Sequence, residues 1–301
     1  MYYNSTRDNS CRVTAAQAIS RGISSEGGLF VPEAFPQLSM DELQGLVGKS
    51  YNEKAKAVLS KFLTDFSAEE LANCVDCAYT AEKFDSGNIS EIAKVGEHAY
   101  LLELWHGPTC AFKDMALQLL PHLLTVSAEK TVPGKEIVVL VATSGDTGKA
   151  ALEGFKDVSG TKMLVFYPVH GVSNMQKLQM TTQEGGNVAV CAIEGNFDDA
   201  QSGVKKIFTD PDVLTELEKN GQMFSSANSI NWGRLVPQIV YYIAAYTSLV
   251  EQGEISLGEQ VNVVVPTGNF GNILAAYYAK GMGLPVGKLI CASNRNKVLT
   301  D

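Results

Sequence analysis

This chain has no apolar run long enough to cross a bilayer. Its most apolar stretch, LVPQIVYYIAAYTSLV at 235–250, falls short of the roughly 20 residues a spanning helix needs and carries Pro237 and Gln238. It reads as a buried core helix. The start, MYYNSTRDNSCRV, lacks the apolar segment of a secretory signal. Nor is there a basic stripe. The net charge is −9 over 301 residues, and no short Lys/Arg cluster could neutralise nucleic-acid phosphates. Cysteine is sparse: Cys11, Cys74, Cys77, Cys110, Cys191 and Cys291 are scattered and read as reduced thiols of a cytosolic protein. The lone C-x-x-C, Cys74 and Cys77, has no second pair and no nearby histidine. It lies in a helical pattern, AEELANCVDCAYTAEKF, where that spacing marks one helix face; no metal is expected there.

What is present points to an α/β fold. At 45% apolar residues the chain can bury real cores, and its length predicts two lobes. Residues 1–95 read as a helix-rich segment without a catalytic motif. From about residue 98 the texture becomes strand, Gly-rich turn and helix, repeated, beginning with HAYLLELWHGPT. IVVLVA, MLVFYP, VAVCAI and VNVVVP are continuous apolar runs, the pattern of parallel strands covered on both faces by crossover helices. Ligands then belong at the C-terminal ends of the strands, where the Gly-rich loops lie. The chain stops at SNRNKVLTD, after a strand and before the helix that should cover it, so it is expected to be cut short.

Several loops could hold chemistry. ATSGDTGKA (142–150) misses the phosphate-loop pattern at both ends, with Thr143 for the first glycine and Ala150 for the metal-binding hydroxyl. It remains a hydroxyl-rich helix start suited to a carboxylate, or an ordinary turn capped by Ser144 or Asp146. EGNFDDA (194–200) and PTGNFGN (266–272) share a string. Asp198 and Asp199 make the first a self-capped helix start that would repel phosphate, whereas the second has no acid and two glycines that admit a ligand. SSANSINWGR (225–234) and HGVSNMQKLQM (170–180) offer hydroxyls, amides, Arg234 and Lys177, which suit an oxyanion.

In GPTCAFKDMALQLLPHLL (107–124), helical spacing puts Lys113 on one stripe with Leu117, Leu120 and Leu124. A lysine can snorkel from such a stripe. A helix N-terminus disfavours the cation by about 0.3–1 kcal/mol, and burial disfavours it further. Both favour a neutral, nucleophilic amine of the Schiff-base kind. Combined with a phosphate cradle, that suggests pyridoxal phosphate.

With these motifs in order, the whole chain resembles the threonine synthase family, fold-type II pyridoxal-phosphate enzymes related to the tryptophan synthase β subunit. YYNSTRDNSCRVTAAQAISRGISSEGGLFVPEAFPQL resembles the family's opening, HGPTCAFKDMA its lysine motif and TSGDTG its substrate loop, with SSANSINWGR and PTGNFGN following. The resemblance implies two open parallel-sheet lobes. Residues 96–134 and 225–301 would form the large cofactor-binding domain and 135–224 the small one, after the 1–95 segment. It implies that Lys113 carries the cofactor and shuttles protons, and that Gly268, Asn269, Phe270, Gly271 and Asn272 hold the cofactor phosphate. Ser144, Gly145 and Thr147 would bind the substrate carboxylate, with Asp146 near the cofactor's 3-hydroxyl. Lys177, Ser226, Asn231 and Arg234 are candidates for the substrate phosphate. The implied reaction converts O-phospho-L-homoserine and water to L-threonine and phosphate; the scattered thiols and the missing signal segment lead to the expectation of a cytoplasmic protein. The pyridine-nitrogen partner is expected beyond residue 301. The rivals are another fold-type II lyase or dehydratase, which the N-terminal segment opposes, a silent ligand-binding protein on the same scaffold, and, weakest, a nucleotide-binding protein.

Overall fold

The computed structural model describes residues 1–143, 145–295 and 297. The chain opens with strands β1 (Tyr3–Ser5), β2 (Arg12–Val13) and β3 (Phe30–Pro32), with α1 (Ala15–Arg21) between the last two. Helices α2 (Met40–Gly45), α3 (Tyr51–Phe62) and α4 (Ala68–Ala78) follow. The three strands form an antiparallel sheet of order β2-β1-β3. The sequence pattern reads as helices and turns here because strands of two or three residues are too short to show a period. All four helices start on a capping box, with Thr14, Ser39, Ser50 and Ser67 each bonding the amide three residues on, which satisfies donors a helix start leaves open. Cys74 and Cys77 lie on α4, one buried and one exposed.

Strands β4 (Glu91–Lys94) and β5 (Tyr100–Glu103) form an antiparallel hairpin, so HAYLLELW is the second strand of a hairpin and not the first strand of the repeating strand–turn–helix series. Residues 95–99 are too short a connection for anything but antiparallel neighbours, and the Val95 amide donates to the Ala99 carbonyl at 2.9 Å. The hairpin straddles residue 95, the expected end of the first segment. Next come α5 (Asp114–Leu117) and α6 (Leu120–Thr131). Leu117, Leu120 and Leu124 are fully buried, but the stripe is not one helix: Pro121, in the first turn of α6, is suited to a helix start and not to its interior.

The α/β part alternates β6 (Glu136–Ala142), α7 (Asp146–Phe155), β7 (Thr161–Pro168), α8 (Asn174–Thr181), β8 (Val188–Ile193), α9 (Phe197–Thr209), α10 (Pro211–Lys219) and β9 (Gln222–Ser225). These strands form one parallel sheet of order β8-β7-β6-β9. Helix α11 (Trp232–Glu251) leads to β10 (Val261–Pro266), α12 (Gly271–Gly281) and β11 (Val286–Ala292), and β10 pairs parallel with β11. The parallel α/β architecture is therefore as expected. Burial on both faces holds for β6 and β7 only. β8, an edge strand, and β10 and β11 alternate toward solvent, leaving Val264 62% and Ile290 42% exposed. Helix α11 is buried along almost its whole length, the core helix that LVPQIVYYIAAYTSLV predicts. Among the described residues no helix is long and apolar enough to cross a membrane.

Candidate active site

Lys113 ends a loop held at two points. His106 lies between two carboxylates, with Nε2 2.9 Å from Glu103 Oε2 and Nδ1 2.7 Å from Asp85 Oδ1; bonding to Glu103 and then Asp85 raises the imidazole above its usual range. At the other end Asp114 is fully buried and accepts from the Thr109 amide at 2.8 Å and the Thr109 hydroxyl at 2.6 Å. Burial raises its carboxyl and these bonds oppose the rise. Gly107 must be glycine here, because a Cβ would stand 2.6 Å from Asp114 Cβ. The folded-back loop delivers Lys113 to the start of α5, with Nζ 2.8 and 2.7 Å from the two Asp146 oxygens and 4.9 Å from the Phe112 ring centroid. The amine expected to be neutral on an apolar stripe is thus held in an ion pair with a carboxylate. The reason is that α5 lasts one turn and Lys113 precedes it, so its side chain crosses to α7. Asp146 is half exposed, which limits such a pair to about 1 kcal/mol of stability; its effect is to aim the amine.

Asp146 is free for this because another residue caps α7. Thr143, 3% exposed, accepts with Oγ1 from the Gly145 amide at 3.1 Å and the Gly148 amide at 3.2 Å. The sequence pattern points instead to Ser144 or Asp146; Ser144 lies outside the described residues. The signal for the true cap is Thr143 standing where a phosphate loop has glycine. A Cβ on Gly148 would meet Thr143 Cγ2 at 2.5 Å, so Gly148 lets that hydroxyl approach. Thr147 is half-buried in the first turn.

PTGNFGN turns from β10 into α12. Gly268 and Phe270 both have positive φ, 47° and 66°, and among the described residues the helix start has neither a side-chain cap nor an acidic residue in its first turn. Its open amides and positive dipole end suit an anion. Thr267 ties the loop to β11 through its hydroxyl and the Ala292 carbonyl at 2.9 Å. Asn272 faces the protein, its Oδ1 accepting from the Tyr241 and Tyr242 hydroxyls at 2.5 Å each. Ser229 Cβ lies 3.7 Å from where a Gly271 Cβ would stand, which sets the 225–234 loop against this one.

In that neighbouring loop Arg234 is 4% exposed and donates through Nη1 to the Ala227 carbonyl at 2.7 Å. Burial lowers it to about 10, opposed by the charge of Asp146. Ser226 is buried, its Oγ accepting from the Asn228 amide. Asn231 is structural: Oδ1 caps α11 at Gly233, and Nδ2 donates to the Ile19 carbonyl at 3.0 Å and the Ser226 carbonyl at 2.8 Å. Neither amide proton is left for a substrate phosphate, contrary to the expectation. Lys177 is exposed on α8. The neighbouring Gln176 lies 3.1 Å from a Gly145 Cβ position, so α8 borders the substrate loop. The fold thus joins Lys113 to Asp146 and places Arg234 within electrostatic reach of Asp146.

Residues 84–299 match the model of the pyridoxal-phosphate dependent enzyme family. The chain belongs to that family. Residues 2–79 match the model described as the threonine synthase N terminus. The chain is 45% identical to threonine synthase-like 1 of Homo sapiens over 295 residues, 95% of this chain and 39% of that protein. It is 40% identical to the threonine synthase of Pseudomonas aeruginosa over 300 residues, covering 99% of this chain and 61% of the other. Among solved structures, PLP-bound threonine synthase from Brucella melitensis superimposes with a TM-score of 0.89 at 38% identity, over 99% of this chain and 62% of that one. The yeast threonine synthase gives 0.87 at 34%, over 99% and 59%. The chain therefore spans about two to three fifths of the length of these relatives. For a member of this family the donor set fits the cofactor: an amine at Lys113 and an acid-free, uncapped helix start at α12 for a phosphate.

Proposed function

We propose that this chain carries the cofactor- and substrate-binding machinery of a threonine synthase, converting O-phospho-L-homoserine and water to L-threonine and phosphate in the cytoplasm. The observation that carries this reading is the Lys113–Asp146 pair at 2.7 Å in a fold whose α12 start is left open for an anion. Six unpaired cysteines suit a reducing compartment. Residues 96–134 with 225–301, and 135–224, act as the two lobes behind the 1–95 segment.

Lys113 would hold pyridoxal phosphate, with its phosphate on the 268–272 loop and Asp146 near its 3-hydroxyl. When bound, the cofactor supplies the electron sink. Lys113 Nζ takes the substrate's Cα proton, and Asp146 holds the resulting ammonium where it can return the proton. Ser144, Gly145 and Thr147 bind the substrate carboxylate at the α7 start. Ser226 and the buried Arg234 orient the substrate phosphate as it leaves, with Lys177 at the rim; Asn231 holds their loop.

Adding pyridoxal phosphate should produce a visible absorbance band, and borohydride should fix the added mass on Lys113. Phosphate release from O-phosphohomoserine then separates this reading from other lyases. An unchanged band in Lys113→Ala, or threonine-free turnover, would overturn it.

A further inference from the structure

Helix α11 carries a polar ladder in its buried body. Arg234, Gln238, Tyr241 and Tyr242 share one face at helical spacing. Gln238 Nε2 donates to the Arg234 carbonyl at 2.9 Å, and Gln238 Oε1 lies 3.2 Å from the Tyr241 hydroxyl. Gln238 and Tyr242 are 4% and 7% exposed, and Tyr241 is fully buried. Polar groups in such a place are costly unless paired. The two phenols meet at one atom, Asn272 Oδ1, at 2.5 Å each. Adjacent residues on a helix point about 100° apart, so this convergence requires the Asn272 oxygen to sit in the notch between the rings, whose centroids are 4.8 Å apart. Burial raises both phenols above their usual range, which keeps them donors.

Asn272 is the second residue of α12, in the first turn of the proposed anion site. An amide side chain there has two faces of opposite consequence. Its oxygen would repel an anion, and its NH2 would attract one. With both lone pairs of Oδ1 taken by tyrosines, only the NH2 edge remains to bond outward. We infer that Tyr241 and Tyr242 are positioning residues that lock the Asn272 amide with its donor edge available to a phosphate monoester, and so set the phosphate selectivity of the α12 start. Arg234 and the two tyrosines lie on one face of α11, so the same helix face reaches both anion-facing loops. This inference rests on the proposed cofactor reading.

The test compares affinities for pyridoxal phosphate and for pyridoxal, which lacks the phosphate, by absorbance titration of the chain with each. The ratio of the two affinities isolates the phosphate contribution. Wild type should prefer pyridoxal phosphate strongly. The double variant Tyr241→Phe with Tyr242→Phe should lower the ratio about 10-fold, the loss of one to two hydrogen bonds' worth of orientation, with pyridoxal affinity unchanged. Asn272→Asp retains the acceptor for both phenols but removes the donor and adds a charge, and should lower the ratio by roughly 100-fold. Should the double variant not fold, Tyr242→Phe alone, which removes a hydroxyl bonded to Asn272, should lower the ratio about 5-fold. If wild type does not distinguish the two ligands, the phosphate-loop reading itself fails. If wild type distinguishes them and the variants do so equally, or lose both affinities in parallel, the tyrosine inference is overturned while that reading stands.

Discussion

In EGNFDDA and in PTGNFGN the same three residues follow a parallel strand and enter a helix, yet they sit one position apart on it. In the first, Asn196 is the N-cap of α9. Its side chain accepts from the Asp198 and Asp199 amides at 2.8 and 3.1 Å, and Asp199 accepts from the Asn196 amide at 2.8 Å. In the second, the N-cap is Phe270 in a left-handed conformation, and among the described residues no side chain bonds the amides of the helix start. One loop satisfies its donors internally and the other leaves them for a ligand. The two residues after the string decide between them. Asp-Asp completes a capping box and adds negative charge at a positive dipole end. Gly271-Asn272 supplies neither, and Asn272 is drawn inward by two tyrosines.

The comparison breaks most completely if the second loop is rewritten as the first. Gly271→Asp with Asn272→Asp makes the string GNFDD, and a Cβ at Gly271 meets nothing closer than 3.7 Å. Affinity for pyridoxal phosphate should fall by at least about 100-fold, while acids in the first turn leave the melting temperature equal or slightly higher. Titration and thermal melts of the same sample check both halves, and retained affinity would show that the open helix start is not the phosphate site. The converse change is smaller. Asn196→Ala should cost about 1 kcal/mol of stability by losing the α9 cap, seen as a shifted denaturation midpoint, with cofactor affinity unaltered. The smallest effect is a difference of sign at the shared phenylalanine. Phe270→Gly relieves a left-handed residue and should be neutral or stabilising by up to about 1 kcal/mol. Phe197→Gly, in the first turn of an ordinary helix, should destabilise by about that amount. Equal responses at the two positions would mean that the registers do not differ as described.

Much of this site is legible in the amino-acid order. Lys113, the acid-free PTGNFGN and the self-capped EGNFDDA follow from local chemistry: a charge on an apolar stripe, and acids present or absent in one helical turn. The β6–β8 and β10 strands are legible because short, continuous apolar runs bounded by turn residues allow little else. What misleads is non-local. Asn231 looks like a ligand because its type suits one, but its amide protons meet carbonyls from residues 19 and 226, the first of them a partner no window of sequence contains. The Thr143 cap is a local miss instead: it bonds amides two and five residues on, at a position read only for the glycine a phosphate loop would have there.

Composition, periodicity and the residues following each turn thus determined the α/β architecture, the self-capped start of α9 and the acid-free start of α12, because these depend on neighbours within a few positions. Only the tertiary structure decided where the side chains point. The short α5 swings Lys113 off its stripe onto Asp146 on another element, and α11 turns the Asn272 oxygen inward. Both outcomes depend on atoms brought together by packing from 30 or more residues away, where sequence spacing carries no directional information.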